Sequence, residues 1–293
     1  MNYELDFWVI GGDLRQVRLA ESLARDGHRV HTFALGGQGE PLPGLTSQPC
    51  LRGVEQADCV VLPLPVLDAE GKLSTPLDPD PLPFQNVLDR LDPRQIICAG
   101  MVTPAAAQAA AERGITLHDY FAREELAVAN AVPTAEGALQ IAMEEMPITL
   151  HGARALVIGY GRLGRLLAQR LSALGARVSV ASRRFDHLAW AEAFGWGGEH
   201  TEQLSGWLCG YDLIVNTAPA RVLGRADLAD LKEGALVIDL ASKPGGVDLE
   251  AAAQLGVKVI WALSLPGKVA PVTAGQCIRD TIYHILHELE VGE

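Results

Sequence analysis

The sequence predicts an α/β protein of two doubly wound, parallel-sheet domains joined by helices, and three observations predict it. The apolar run 155–158 leads directly into Gly159, Tyr160, Gly161, Arg162, Leu163 and Gly164, and an amphipathic stretch with Leu166, Leu167, Arg170 and Leu171 follows. Strand, glycine-rich turn and helix in that order are the context that a G-x-G-x-x-G dinucleotide fingerprint requires. The second observation is a repeat. Val9-Ile10-Gly11 falls on Val157-Ile158-Gly159, Leu19-Ala20 on Leu167-Ala168, Leu23 on Leu171 and Gly27 on Gly175, all at the offset that carries Gly11 onto Gly159. The third is the alternation of short apolar runs with helical stretches, which makes a parallel sheet with helices on both faces. The expected divisions are a flavodoxin- or Rossmann-like domain over 1–130, a Rossmann NAD(P)-binding domain over 131–270, and a C-terminal helix over 271–293 that packs back on the first domain.

Taken in order, strands are expected at 7–10, 28–33, 58–62, 95–99 and 114–117. Helices are expected at 15–26, stopped by Gly27, and at 103–113, where Thr103 is an N-cap and Pro104 occupies the first helical position. The stretch 68–83 is rich in Pro, Asp and Gly without periodicity and reads as a surface loop. Residues 121–146 read as helix with a break at Pro133, bridging the domains. Strands at 155–158, 177–181, 212–215, 235–239 and 258–261 then alternate with helices at 188–194, 225–232 and 249–255. A long last helix covers 273–289.

Composition narrows the function. Hydrophobic residues make up 48% of the 293 and charged residues 20%, enough for full cores. The net charge of −12 disfavours nucleic acid and anionic membrane as partners, because both reward positive charge. Five scattered cysteines (Cys50, Cys59, Cys98, Cys209, Cys277) lack ligand spacing, so reduced thiols in a cytoplasmic protein and no metal are expected. No apolar run reaches membrane-spanning length, and the acidic start of the chain does not resemble an export signal.

The chemistry is expected at strand ends. Gly159 permits the tight turn, Gly161 admits a pyrophosphate to the backbone, and Gly164 lets helix and strand pack closely. After the next strand, Ser182, Arg183 and Arg184 replace the acidic residue that would grip an NAD ribose. A hydroxyl and two guanidiniums suit a 2′-phosphate, so NADP is the expected cofactor and NAD the alternative. Thr217, Ala218 and Pro219 are placed beside ribose and nicotinamide, with Ser242 on the following loop. In the early copy, Asp13 and Gln16 stand where the later one has Gly161 and Gly164, and such side chains block a pyrophosphate. The first domain is therefore assigned to the substrate. Asp13, Arg15, Ser242, Lys243 and Lys268 are expected around one cleft, their cations suiting an anionic substrate.

Five motifs carry a resemblance: Gly11-Gly-Asp-Leu-Arg-Gln16, Asn130-Ala-Val-Pro-Thr-Ala-Glu-Gly137, the Gly159–Gly164 turn, Ala241-Ser-Lys-Pro-Gly-Gly246 and Leu265-Pro-Gly-Lys-Val-Ala-Pro-Val-Thr-Ala-Gly275. Together they make the chain resemble the A-subunit family of dipicolinate synthase over nearly its whole length. The resemblance implies a spore-forming bacterium, the mother-cell cytoplasm, and NADP-dependent oxidation of dihydrodipicolinate to dipicolinate. It also implies a flavoprotein-like partner, the B-subunit of dipicolinate synthase. A homo-oligomer is expected as well. On that reading Arg15, Lys243 and Lys268 hold carboxylates, and Asp13 or His118 helps move the proton. Other two-domain dehydrogenases compete. A D-2-hydroxyacid dehydrogenase would need a catalytic Arg where Ser242-Lys243 stands and a late His, yet no histidine lies between His200 and His284. The remaining alternatives are a shikimate-dehydrogenase-like enzyme and a non-catalytic NADP-binding subunit.

Overall fold

The structure is a computed structural model that describes residues 4–36 and 43–289. The chain divides into two compact units, Met1–Asn130 with Pro266–Glu293, and Ala131–Leu265. Each contains one six-stranded, all-parallel sheet among the described residues. The α/β architecture read from the sequence, a sheet with helices on both faces, is the one observed.

In the first unit the strands are β1 (Asp6–Ile10), β2 (Arg29–Phe33), β3 (Leu45–Ser47), β4 (Cys59–Val61), β5 (Ile96–Ala99) and β6 (Leu117–Asp119), in the order β3-β2-β1-β4-β5-β6. Its helices are α1 (Leu14–Arg25), α2 (Phe84–Leu88) and α3 (Pro104–Ala111). The helix α4 (Glu124–Glu145) carries the chain into the second unit. There the strands are β7 (Arg154–Ile158), β8 (Arg177–Ser182), β9 (Gly197–His200), β10 (Leu213–Asn216), β11 (Leu236–Asp239) and β12 (Lys258–Trp261), in the order β12-β11-β10-β7-β8-β9. Between them run α5 (Arg162–Ala173), α6 (Phe185–Ala193), α7 (Arg225–Ala229) and α8 (Leu249–Leu255). Finally α9 (Leu265–Val269) and α10 (Pro271–Glu288) return the chain to the first unit.

Both faces of each sheet are covered, which is why the strands β1, β4, β5, β7, β10 and β11 are largely continuous apolar runs rather than alternating ones. Successive side chains point to opposite faces. Phe7 and Val9 accordingly join Leu19 and Leu23 of α1 and Ile278 and Ile282 of α10 in one core, while Trp8 and Ile10 join Phe84, Val87, Ala106 and Ala110 in another. The second unit repeats the plan. Ala155 and Val157 pack with Leu167 and Leu171 of α5 and Ala138 and Ala142 of α4, and Leu156 and Ile158 with Leu228, Ala251 and Ala252.

The structure corrects four local expectations. The helix α4 is continuous through Pro133, with no break. A proline removes one backbone donor, and Ala-rich turns with buried Leu126, Ala135, Ala138 and Leu139 on either side keep the rest of the helix in place. The edge strands β3 and β9 have no apolar run to announce them, Gly197-Gly-Glu-His200 least of all. The five-residue helices α2 and α9 are too short for periodicity to show. The stretch 68–83 is not purely surface: Leu73 is buried, and Ser74 offers its carbonyl to the Gly12 amide at 2.9 Å.

Candidate functional site

The two similar turns have diverged in one physical respect. In the second unit, Gly159 follows β7 with φ of 95°, and a Cβ there would lie 2.4 Å from Thr217 Oγ1. At Gly164 a Cβ would meet the Gly159 carbonyl at 2.1 Å, so helix α5 can approach the strand only without a side chain. Gly161 is the N-cap of α5, has no side-chain cap, and has nothing within 4 Å of where its Cβ would be. The first turn of this 12-residue helix thus has no side-chain cap, and the positive end of the helix dipole lies at Gly161. An anion fits there.

In the first unit the equivalent space is filled by the protein itself. Asp13 caps α1 by accepting from the Arg15 amide at 2.9 Å, and the Gln16 side chain answers by accepting from the Asp13 amide at 3.3 Å. A Cβ on Gly12 would strike Gln16 Cγ at 2.6 Å. Gln16 is fully buried and donates to Tyr120 Oη at 3.3 Å, while Tyr120 donates to the Leu62 carbonyl at 2.9 Å. Burial raises the Tyr120 hydroxyl well above the usual phenol range and keeps it protonated.

Arg15 is held tightly. Its Nε donates to both Asp13 oxygens at 2.9 and 3.1 Å, and its Nη2 to Asp13 Oδ2 at 2.8 Å and to the Leu64 carbonyl at 2.7 Å. Its side chain is about 10% exposed against 33% for Asp13. Gly267 lies on it, with a would-be Cβ 3.1 Å from Arg15 Nε, and the next residue, Lys268, is exposed. The structure thus brings Gly267, the residue before Lys268, against Arg15 within one unit. It does not bring His118 there. His118 sits on β6, three strands from β1 and so about 14 Å across the sheet at ~4.8 Å per strand. It lines a small pocket with Asp119, Arg123, Ile285 and Glu288, and burial lowers its pKa.

At the end of β8, Ser182 is buried, with its Oγ 2.9 Å from His187 Nδ1 and accepting from the Arg184 amide at 3.2 Å. Burial, then Arg184, lowers the His187 pKa, so the imidazole is neutral at pH 7. The two arginines are not equivalent. Arg184 grips Asp186 through Nε at 2.9 Å and Nη2 at 2.6 Å, whereas Arg183 is exposed and makes no ion pair among the described residues. Tyr160 is buried, its ring edge-on to His187 at 5.6 Å and under the Arg165 guanidinium at 5.4 Å.

Two loops leave the C-terminal ends of neighbouring strands β10 and β11. Thr217 Oγ1 donates to the Ile158 carbonyl at 2.9 Å, which fastens the Thr217-Ala218-Pro219 segment to the end of β7. Ser242 and Lys243 are exposed on the second loop. Sequence reading missed the pair beneath them. Asn216 and Asp239 are 0% and 1% exposed, and Asn216 Nδ2 donates to Asp239 Oδ1 at 2.8 Å. The available signal was two polar residues ending apolar strands, where burial requires a partner. Among the described residues no group of three or more His, Cys, Asp or Glu is placed to hold a metal, and no helix is long and apolar enough to cross a membrane.

Both parts of the chain match known families. Residues 6–121 match the family of dipicolinate synthase A-subunit N-terminal domains, and residues 121–254 match the NAD binding domain of D-isomer specific 2-hydroxyacid dehydrogenases. The dipicolinate synthase A-subunit of Bacillus subtilis (strain 168) is 32% identical over 291 residues, covering 97% of each chain. The crystal structure of dipicolinate synthase, A chain, from Bacillus subtilis superposes with a TM-score of 0.88 at 31% identity, covering 100% of this chain and 99% of that one. The dipicolinate synthase A-subunit from Bacillus halodurans gives 0.89 at 30% identity over 96% and 97%.

Proposed function

The chain belongs to the dipicolinate synthase A-subunit family, and from that premise we propose that it oxidises dihydrodipicolinate to dipicolinate (pyridine-2,6-dicarboxylate) with NADP. The observation that carries the reading is the uncapped α5 N-terminus at Gly161, set against its twin, which Asp13 seals. The match to an NAD-binding domain supports a nicotinamide coenzyme at that turn. Gly159, Gly161 and Gly164 would cradle the diphosphate with the amides of Arg162 and Leu163, beside Tyr160. Arg183 would take the 2′-phosphate together with Ser182, while Arg184 stays committed to Asp186. Thr217, Ala218, Pro219 and Ser242 would line the ribose and nicotinamide.

Aromatising the dihydropyridine removes one hydride and one proton. The bound coenzyme supplies the hydride acceptor. Lys243, exposed and without an ion pair among the described residues, would hold a carboxylate through a charge-assisted hydrogen bond. In the first unit, Lys268 and the Nη1 of Arg15 are given the same class of ligand. Both oxygens of Asp13 already accept from Arg15, and His118 lies away from that turn, so release of the proton to water fits better than either as base. We place this activity in the cytoplasm of a sporulating mother cell, in a homo-oligomer that works with the B-subunit. A 2-hydroxyacid dehydrogenase fits less well, because Ser242-Lys243 stands where its arginine is needed.

Purified protein with NADP and enzymatically generated dihydrodipicolinate should raise the absorbance at 340 nm. Absence of NADPH, with and without the B-subunit, would leave a non-catalytic NADP-binding role. Arg183→Ala should weaken NADP binding about tenfold and leave NAD binding unchanged, since one charge-assisted phosphate contact contributes ~1.4 kcal/mol or more.

A further inference from the structure

The carboxylate of Asp239 is buried at the C-terminal end of β11 and accepts three hydrogen bonds. They come from Asn216 Nδ2 at 2.8 Å, the Ala241 amide at 3.1 Å and the Gly246 amide at 2.7 Å. The last two donors stand at either end of the loop that carries Ser242 and Lys243. Asn216, fully buried, does the same for the neighbouring loop: it accepts from the Ala218 amide at 3.0 Å and donates to the Ala218 carbonyl at 3.2 Å. The close approach is built into the backbone. A Cβ on Gly246 would lie 2.0 Å from Asn216 Nδ2, and one on Gly245 3.1 Å from Asp239 Oδ2. Trp261 ties the loop from another side, donating Nε1 to the Ala241 carbonyl at 2.8 Å.

A carboxylate without a cation is a costly group to bury for loop closure alone. Backbone carbonyls or a serine could satisfy two amides at lower cost. The arrangement instead puts one rigid acceptor at the base of a loop whose tip is a lysine, and couples it to the loop that follows β10. We propose that Asp239 and Asn216 are a positioning pair for the proposed reaction, clamping the 217–219 and 241–246 loops so that Lys243 is presented in one orientation. This rests on the reading of Lys243 as a group that holds a substrate carboxylate. Neither residue touches the reacting atoms. Their effect is preorganisation, in which misplacement of a binding group by about 1 Å can cost ~100-fold in rate.

The test is Asp239→Asn in the full chain, followed by amide hydrogen exchange and steady-state kinetics. An asparagine amide must turn an N–H toward one of the three donors, so at least one bond is lost with little change in shape. Faster exchange confined to residues 240–247 is expected, with the β7–α5 turn unchanged. The kcat should fall at least tenfold, while the NADP dissociation constant moves less than threefold. The reciprocal double change, N216D with D239N, restores one N–H···O bond between the two positions and should recover part of both losses. A merely structural role would instead lower the melting temperature and the active fraction, with kcat per active site preserved. Unchanged exchange over 240–247, or an unchanged kcat, overturns the proposal, as does a double variant no better than D239N. If D239N does not fold, Asn216→Ser withdraws one of the three donors to Asp239, together with the side-chain bonds to Ala218, and carries the same expectations. An inactive wild-type protein would sink the proposed reaction, and the positioning role with it, whereas the exchange data alone decide whether Asp239 holds the loop.

Discussion

Gly161 and Asp13 are the N-caps of the first helices in two similar βαβ units, and together with Gly164 and Gln16 they are where the two turns differ. Gly161 has an extended backbone (φ −80°, ψ −160°) and free space around its would-be Cβ, so the fold does not need glycine there. Gly161→Asp should therefore cap the second turn as Asp13 caps the first. A carboxylate N-cap at the positive end of α5 stabilises by about 0.5 kcal/mol, so the melting temperature should hold or rise, while coenzyme binding is lost. Gly164→Ala behaves oppositely in stability. Its methyl group meets the Gly159 carbonyl, both melting temperature and coenzyme binding should fall, and a stable G164A that binds coenzyme would refute the close-approach argument. Thermal unfolding with and without NADPH separates the two outcomes. The three glycines and the two arginines after β8 were legible in the sequence because their spacing is local. The sealing of Arg15 by Asp13 and Leu64, the pairing of Arg184 with Asp186, and the Asn216–Asp239 bond were not. The contacts with Leu64 and Asp239 join residues far apart in the chain, and the Arg184–Asp186 pair depends on a rotamer choice.

At the scale of elements, α1 and α10 carry the first unit's helical layer. They meet at Gly275, where a Cβ would stand 2.7 Å from the Arg15 carbonyl and 2.8 Å from the Leu19 amide. Farther along, Arg279 Nη1 donates to Ser22 Oγ at 2.7 Å, and Tyr283 Oη to Asp26 Oδ2 at 2.8 Å. Gly275→Val should force the pair apart and destabilise by about 1–3 kcal/mol in a denaturant titration. Because the displaced turn carries Arg15, the change should also disturb Asp13 and Lys268. An unaltered unfolding midpoint would show that the helices have slack there. The long helices and central strands were readable from period and caps. Strands β3 and β9 and helices α2 and α9 were not, since three to five residues hold too little pattern and take their shape from the neighbour they pair with.

At the scale of the whole molecule, the two units differ in chain continuity. The second is one segment, Ala131–Leu265, and its two cores draw only on that segment. The first is completed from the far end of the chain: Ile278, Ile282, Ile285 and Leu286 share a core with Phe7 and Leu19. A fragment of residues 131–265 should therefore fold alone and bind NADPH, seen by circular dichroism and coenzyme fluorescence. A chain ending at residue 265 should leave the first unit with an open apolar face and aggregate. A soluble, cooperatively folded first unit lacking α10 would overturn this.

Local pattern was sufficient to write the architecture, the two similar βαβ openings and the glycine-rich turn, because hydrophobic period and glycine spacing act within about 30 residues of chain. What only the folded chain decided is which charges are free to bind and which are already committed to one another. Arg15, Arg184 and Asp13 looked like open groups and are tied, while Asn216 and Asp239 looked unremarkable and are buried together. A side chain's partners are set by the three-dimensional neighbourhood, and the desolvation that makes an unpaired charge costly exists only once that neighbourhood has formed.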